Sequence, residues 1–369
     1  MKPIRAIISG GGTGGHIFPA LSIAAGLKAA NPETEILFIG ANNRMEMEKV
    51  PAAGYKIIGL DVAGLLRRIT FENLKVPFKV IKSIRSAKRI IKEFKPDIVI
   101  GVGGYVSAPV LYAATILHIP TLIQEQNGFA GLTNRILGKR VDCICVAYDG
   151  LERFFPKEKI VFSGNPTRSN IVKCTPQMHD EGLEFYGLDK DKKHIFVVGG
   201  SLGCRTLNTF MQAWITDGIP DGIQIIWQCG KKAIDEMESF VGSHPEVSGK
   251  VLCTDFIARM DLAYAVSDLV VSRSGASSIS ELCIAGCSTI FVPSKNVTED
   301  HQRHNAMALV NKGAAKIVLD DDVPEKLRPL ILETLADEEG LAKLRENILK
   351  LSKTDSVEII INEIYKLVK

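Results

Sequence analysis

What this chain of 369 residues lacks narrows it first. Strong charge bias is missing: the formal charge is +3, too small to argue for nucleic acid as a partner, so any electrostatic case rests on local clusters. There is no C-x-x-C pair. Cys143, Cys145, Cys174, Cys204, Cys229, Cys253, Cys283 and Cys287 are scattered, several inside apolar runs and without regular Cys/His spacing, and they read as reduced core residues of a cytosolic protein. Cys283 and Cys287 stand one helical turn apart, but two ligands without a convergent second pair do not make a metal site. An apolar leader is missing too: only Ala6, Ile7 and Ile8 run together before the first glycine loop, too few for a signal peptide. The long stretch without Asp, Glu, Lys or Arg, residues 98–124, is cut by Gly101, Gly103, Gly104, Pro109 and Pro120 into strand, loop, helix and strand. That argues for a buried α/β core rather than a membrane span.

What is present is ordinary soluble globular material, 46% hydrophobic and 24% charged with 32 glycines, and its length predicts two domains. Residues 4–9 read as a strand, GGGTGGH over 10–16 as a glycine loop, and Leu21, Ile23, Ala24 and Leu27 as a helix. Glycines let backbone approach a phosphate or sugar, and the helix N-terminus faces the same point. The loop departs from the dinucleotide fingerprint: Glu33 and Glu35 lie near the distance of its acidic residue, but His16 stands beside the last glycine. A strand over 35–39 and a helix over 42–50 follow.

Residues 64–92 hold nine Lys or Arg against one acidic residue, Glu72. Leu74, Phe78, Ile81 and Ile84 recur at three- and four-residue spacing, so one helical face is apolar and its neighbours, Lys75, Lys79, Lys82 and Arg85 among them, are cationic. Such a helix packs on the sheet with a solvated basic side, or docks on an anionic membrane; Leu65, Leu66, Ile69 and Leu74 exceed what one buried stripe requires.

The strand over 97–102 runs into a second glycine loop, GVGGYVSAP, and the strand over 121–123 into QEQNGFAGLTNR. Glu125, Gln126 and Asn127 thus lie beyond the C-terminal end of a strand, where ligands bind in open parallel sheets. A strand over 142–146, a short helix over 150–155 and a strand over 160–162 close this half. Residues 163–168, SGNPTR, are turn-rich and mark the interdomain linker, with the first domain spanning 1–163 and the second 164–354. The second half repeats the plan: strand 194–198, loop GGSLG, helix from Arg205; strand 223–227, Gly230, helix; strand 250–253, then Asp255, Phe256, Ile257 and a helix over 260–266. Apolar residues over 355–368 recur as in an amphipathic helix.

The densest chemistry lies in 270–305, VVSRSGASSISELCIAGCSTIFVPSKNVTEDHQRHN. It reads as strand, Ser-Gly turn, helix with Glu281, strand ending at Pro293, and a helix with His301, Gln302 and Asn305. Two helix N-termini there offer N–H groups to phosphate, and a carboxylate at Glu281 is able to accept from both hydroxyls of a ribose. Ser278-Ile279-Ser280-Glu281 also fits the S-x-x-E capping box, in which the glutamate only satisfies its own helix.

Assembled, these motifs resemble the bacterial MurG family of UDP-N-acetylglucosamine transferases. GGTGGH from Gly11, GGYVSAP from Gly103, EQNGFAGLTN from Glu125, GNPTR from Gly164, GGSLG from Gly199, RSGASSISEL from Arg273 and HQRHNA from His301 carry the likeness over nearly the whole length. The resemblance implies an α/β GT-B fold, two Rossmann-like parallel-sheet domains facing across a cleft, with the last helix, 355–369, returning to the first domain. It implies transfer of GlcNAc from UDP-GlcNAc to lipid I, giving lipid II for peptidoglycan. By position, Glu281 holds the ribose, Ile257 the uracil through its backbone, and Ser201 with the Ala276, Ser277 and Ser278 backbone, and neighbouring Ile279 and Ser280, the diphosphate. Gln302 and Asn127 touch the GlcNAc, with Arg168 and Thr13, Gly14 and Gly15 nearby; Tyr105 and Glu125 belong to the acceptor side. Leu202, Cys204 and His301 depart from the family's common residues.

Direct attack of an acceptor hydroxyl on an α-linked UDP-sugar inverts the anomeric centre and needs a base at the acceptor and stabilisation of the departing diphosphate. His16 is the expected base, because imidazole titrates near neutral pH; the bland alternative is a helix-start histidine that only hydrogen-bonds the glycine loop. No D-x-D motif of the sort used by metal-dependent glycosyltransferases stands out, so neither metal nor cofactor is expected. The expected partners are UDP-GlcNAc, undecaprenyl-linked lipid I, an anionic membrane surface and other cell-wall synthesis proteins, at the cytoplasmic face of the cell membrane as a peripheral protein. Alternative readings are a glycolipid synthase or UDP-GlcNAc epimerase of the same fold, and a non-catalytic cell-wall scaffold.

Overall fold

The structure, a computed structural model, describes residues 1–62, 76–168, 170–200, 203–297 and 300–368, with side chains in the second segment from Lys79 onward. The chain forms two compact units, Met1–Arg168 with Asp355–Lys369, and Ser169–Thr354.

Among the described residues the first unit holds a seven-stranded parallel sheet of β1 (Arg5–Ser9), β2 (Glu35–Ala41), β3 (Lys56–Leu60), β4 (Ile98–Gly101), β5 (Thr121–Glu125), β6 (Cys143–Val146) and β7 (Ile160–Phe162). Its order is β3-β2-β1-β4-β5-β6-β7, so the direction of winding reverses between β1 and β4, paired from Ala6↔Ile98 to Ser9↔Gly101. Helices α1 (Gly14–Ala30), α2 (Glu46–Ala52), α3 (Val76–Phe94), α4 (Ser107–Ile116) and α5 (Leu132–Leu137) connect the strands. The central strands read as unbroken apolar runs because both sheet faces are covered.

The C-terminal helix Ser356–Leu367 belongs to this unit. Its Ile360, Ile361 and Ile364 enter the same core as Ala6, Ile8, Ala24 and Leu27, so α1 is apolar nearly all round: one side meets the sheet and the other meets this helix. The crossing is close at Gly26, where a Cβ would stand 2.4 Å from Cγ1 of Val357. Ile364 is fully buried, and Ile364→Ala should cost about 2–4 kcal/mol, the usual range for such a truncation, read as a lower urea midpoint of the first unit. An unchanged midpoint would detach this helix from the core.

Among the described residues the second unit holds a six-stranded parallel sheet of β8 (Lys193–Val198), β9 (Ile223–Gln228), β10 (Val251–Thr254), β11 (Leu269–Ser272), β12 (Thr289–Phe291) and β13 (Lys316–Ile317), in the order β10-β9-β8-β11-β12-β13. The winding reverses between β8 and β11. Around it lie α6 (Pro176–Tyr186), α7 (Arg205–Asp217), α8 (Ile234–Gly242), α9 (Met260–Val266), α10 (Ala276–Ala285), α11 (His301–Val310), α12 (Arg328–Ala336) and α13 (Glu338–Leu349).

Local expectations change in a few places. The helix expected over 42–50 starts only at Glu46, because Asn43 takes a positive φ of 59° and residues 42–45 form a turn. The helix expected over 150–155 is a single 3₁₀ turn, Leu151–Arg153, entered from Gly150 at φ 78°. The uncharged stretch 98–124 forms β4, α4 and β5, and no described helix is long and apolar enough to cross a membrane. Leu65, Leu66, Ile69, Leu74 and Lys75 lie outside the described residues, as do Ser201 and Leu202.

Candidate functional site

In an open parallel sheet the crevice for a ligand forms beyond the strand C-termini where the order reverses, since the two flanking loops there part in opposite directions. In the first unit those loops follow β1 and β4, and they are the two glycine loops. Thr13 stands at the N-cap of α1 in extended backbone, and no acidic side chain occupies the first turn, so the amide dipoles of Gly14 and Gly15 are not offset there. His16, half-buried in that turn, has its Nδ1 3.0 Å from the Gly11 carbonyl oxygen and 3.3 Å from Thr13 Oγ1. A carbonyl only accepts, so Nδ1 carries the proton, and in the neutral ring Nε2 then holds the lone pair. The β4 loop packs on the ring edge: at Gly103, φ 101°, a Cβ would lie 2.8 Å from His16 Cδ2 and 2.9 Å from Nε2. Beside it Tyr105 is 59% exposed. Arg168 reaches the same helix, its guanidinium 5.6 Å from the centre of the Phe18 ring.

Glu125 ends β5 and is buried. One carboxylate oxygen accepts from the Asn127 backbone N–H (3.1 Å) and Asn127 Nδ2 (3.3 Å), the other from the Gly131 N–H (3.0 Å) and Asn134 Nδ2 (2.9 Å). It shapes the loop that presents Asn127. Below lies an amide network: Gln126 Nε2 donates to the Val102 carbonyl at 2.9 Å, Gln124 Nε2 to Asn165 Oδ1 at 3.1 Å, and Asn165 Nδ2 to the Gln126 carbonyl at 3.1 Å. The β4 loop, the β5 loop and the segment leading to Arg168 are thus tied from within.

In the second unit the reversal lies between the loops after β8 and β11. The latter is Arg273-Ser274-Gly275, and α10 begins at Ala276 with Gly275 as its N-cap. Ser278 is therefore the third helical residue and cannot cap, so the S-x-x-E reading fails by register. Ser277 Oγ is buried without a hydrogen-bond partner among the described residues. An orphaned hydroxyl of this kind costs about 1–3 kcal/mol, and its place in the first turn of α10 makes it a candidate donor to a ligand. Ile279 does not join them: its side chain is core and its N–H donates to the Gly275 carbonyl at 2.9 Å. Ser280 Oγ donates to the Ala276 carbonyl at 3.1 Å.

Glu281 is 7% exposed and accepts from the Tyr264 hydroxyl at 3.2 Å, a partner on α9 that the sequence reading did not find. Gln302 Oε1 accepts from the Ser294 N–H at 2.9 Å while Ser274 Oγ donates to the Gln302 carbonyl at 2.8 Å, so α11 is fastened to the loop before α10 and the Gln302 amide nitrogen remains a donor. The Ile257 side chain is buried in the core; the adjoining Asp255 carbonyl accepts from Gln228 Nε2 at 3.3 Å. Arg273 and Asp320 form a partly buried pair at 2.6 Å, with Arg273 also donating to the Val292 carbonyl at 2.9 Å.

D-x-D spacings do occur, at Asp189–Asp191 and Asp320–Asp322, against the sequence expectation. Four of their carboxylates are paired: Asp189 with Lys192, Asp320 with Arg273, Asp321 with Lys295 and Asp322 with Lys326.

On α3 the buried seam runs through Ser83, Ala87, Ile90 and Ile91, with Ile84 partly buried beside it. Ile81, for which packing on the sheet and docking on a membrane were both open, is 47% exposed and Val80 41%, next to exposed Lys79, Lys82 and Arg85. The Phe78 side chain and Leu74 fall outside the described residues.

The glycosyltransferase family 28 N-terminal domain matches residues 6–146 and the family 28 C-terminal domain residues 194–360. Two curated relatives are each named UDP-N-acetylglucosamine--N-acetylmuramyl-(pentapeptide) pyrophosphoryl-undecaprenol N-acetylglucosamine transferase. The protein of Parabacteroides distasonis is 49% identical, over 100% of this chain and 99% of its own length, and that of Phocaeicola vulgatus 50% identical, over 99% and 96%. The crystal structure of Acinetobacter baumannii MurG superposes with a TM-score of 0.76 at 28% identity, covering 99% of this chain and 100% of that one. A UDP-N-acetylglucosamine 2-epimerase superposes at 0.67 with 16% identity, a likeness of fold alone.

Proposed function

We infer the reaction from one premise, that this chain belongs to the MurG family of N-acetylglucosamine transferases within glycosyltransferase family 28. It moves GlcNAc from UDP-GlcNAc to the N-acetylmuramyl sugar of undecaprenyl-linked lipid I, giving lipid II.

One observation carries the donor half: the unpartnered Ser277 Oγ in the first turn of α10, with Glu281 farther along the same helix. A diphosphate over that turn gives the hydroxyl an acceptor and meets the positive end of the helix dipole, and the Glu281 carboxylate takes the ribose hydroxyls. In this reading Gln302, whose amide nitrogen is left as a donor, contacts the sugar, and Asn127 and Arg168 are the sugar residues proposed in the first unit. Nε2 of His16 accepts the proton of the attacking acceptor hydroxyl as its oxygen bonds to the anomeric carbon. The bond from that carbon to the diphosphate breaks, its electron pair leaves with UDP, and the centre inverts. The test is UDP release from UDP-GlcNAc with and without a lipid I analogue. Stoichiometric UDP and glycosylated acceptor, only with both substrates, is the expected result; loss of UDP-GlcNAc without acceptor would mean an epimerase, and no turnover a scaffold.

The α3 face is the proposed membrane contact, on the cytoplasmic side where a lipid-linked acceptor confines the enzyme. Exposed Val80 and Ile81 among cations support it. Replacing Lys79, Lys82 and Arg85 with Gln removes about 3 kcal/mol of attraction at about 1 kcal/mol per basic residue near an anionic surface. Binding to acidic vesicles should fall steeply at low salt while turnover of a water-soluble acceptor holds. Equal vesicle binding would make this a solvated helix face.

A further inference from the structure

The reading of His16 as base leaves one buried charge without a role. Glu46, in the first turn of α2, is fully buried. Its Oε2 accepts from the Gly12 N–H at 2.9 Å and its Oε1 from the Ala41 N–H at 3.0 Å, so both oxygens act as acceptors, the pattern of an ionised carboxylate. The contact is built for this side chain: a Cβ on Gly11 would stand 2.0 Å from Oε1.

The Gly12 N–H and the Gly11 C=O belong to one peptide unit, and in a planar trans peptide they point to opposite sides. Glu46 therefore grips one side of this amide and the His16 Nδ1–H the other, at 2.9 Å and 3.0 Å. A carboxylate accepting from an amide N–H polarises the amide and makes its oxygen a stronger acceptor, as in hydrogen-bonded chains generally. A stronger acceptor at Nδ1–H raises the basicity of Nε2.

We propose that Glu46 is a positioning residue for the transfer reaction, acting on His16 through the Gly11–Gly12 peptide to fix the Nδ1–H tautomer and to make Nε2 a better base. It is a carboxylate–His pairing with one amide inserted. Of the other groups near the ring, the β4 loop brings the uncharged Gly103 against its edge and Gly104 against the Gly11 backbone. Its own element brings Thr13, and Arg168 stands at Phe18 two residues along α1. Within this set Glu46 supplies the negative charge. The inference rests on the reading of His16 as base and is tested separately from it.

Glu46→Gln keeps the shape and removes the charge. Titration of the His16 ring by nitrogen-15 NMR should show its pKa lower by about one unit in the variant, as for loss of one charge at short range in a protein interior. The acid limb of the kcat profile should move down in pH by the same amount, and the plateau should fall about three- to tenfold because a weaker base is a poorer catalyst. A purely structural role for Glu46 would lower kcat or the melting temperature without moving the ring titration or the acid limb, and that result overturns the proposal. If Glu46→Gln fails to fold, the wild-type spectrum still decides, since a neutral His16 ring protonated on Nε2 is incompatible with the relay. If His16→Ala leaves kcat intact while the ring titration still moves in Glu46→Gln, the base assignment falls and the relay stands. If His16→Ala abolishes turnover but the titration is the same in both proteins, the relay falls and the base stands.

Discussion

His16→Ala should lower kcat by about a hundredfold or more and leave UDP binding nearly unchanged, the effect of removing a general base while the donor site stays whole. The ring is held on two sides, by the Gly11 carbonyl at Nδ1 and by the Gly103 backbone at the opposite edge. An alanine there loses both the base and the bond to the loop. His16→Asn separates the two, because its amide can still donate toward the Gly11 carbonyl but has no titratable nitrogen. Equal damage in both variants supports the base; recovery in the Asn variant would reduce His16 to a fastening of the glycine loop. Single-turnover rates and UDP affinity, measured together, distinguish these outcomes.

Glu281→Ala should raise the KM for UDP-GlcNAc about a hundredfold or more, since two charge-assisted hydrogen bonds to the ribose are lost at roughly 1.5–3 kcal/mol each. With α10 starting at Ala276, Glu281 is its sixth residue and has no first-turn amide of its own helix to satisfy. The Tyr264 hydroxyl orients one of its oxygens, so Tyr264→Phe should raise the same KM by a smaller factor, several-fold, without abolishing binding. Isothermal titration with UDP checks both. A lower melting temperature with unchanged UDP affinity would make Glu281 a residue of fold stability alone.

The strand and helix alternation was legible because parallel strands covered on both faces leave unbroken apolar runs, and the glycine loops stand out between them. The candidate residues near those loops were legible as candidates for the same reason: His16 and Asn127 follow strand ends, and Glu281 lies on the helix after one. What stayed hidden depends on pairs far apart in sequence. Glu46 looks like any acidic residue complementing the first turn of a helix, and nothing in MEMEKV announces that it reaches back 34 residues to Gly12. Tyr264, 17 residues before Glu281, reads as core. Glu125 reads as a residue of the ligand end of a strand, and its part as the buried anchor of the Asn127 loop was hidden, because four donors on one carboxylate can be recognised only in three dimensions. Periodicity put Ile81 on the apolar stripe of α3 but left open whether that stripe packs on the sheet or docks on a membrane, because it gives the angle between residues and not which side meets the sheet.

The return of residues 356–368 to the first unit has a bearing on how the protein is made. The ribosome delivers β1 to β7 first, then the whole second unit, and only then the helix that covers α1. Through that interval the apolar outer face of α1 around Gly26 has no cover, so the half that emerges first is completed last, and the order of synthesis is the reverse of the order of completion. Nascent chains stalled before Ser356 should therefore hold a folded second unit beside a first unit that is still sensitive to protease and prone to bind chaperones. Docking of this helix, anchored where the Tyr365 hydroxyl donates to the Lys2 carbonyl at 3.0 Å, joins two residues 363 positions apart.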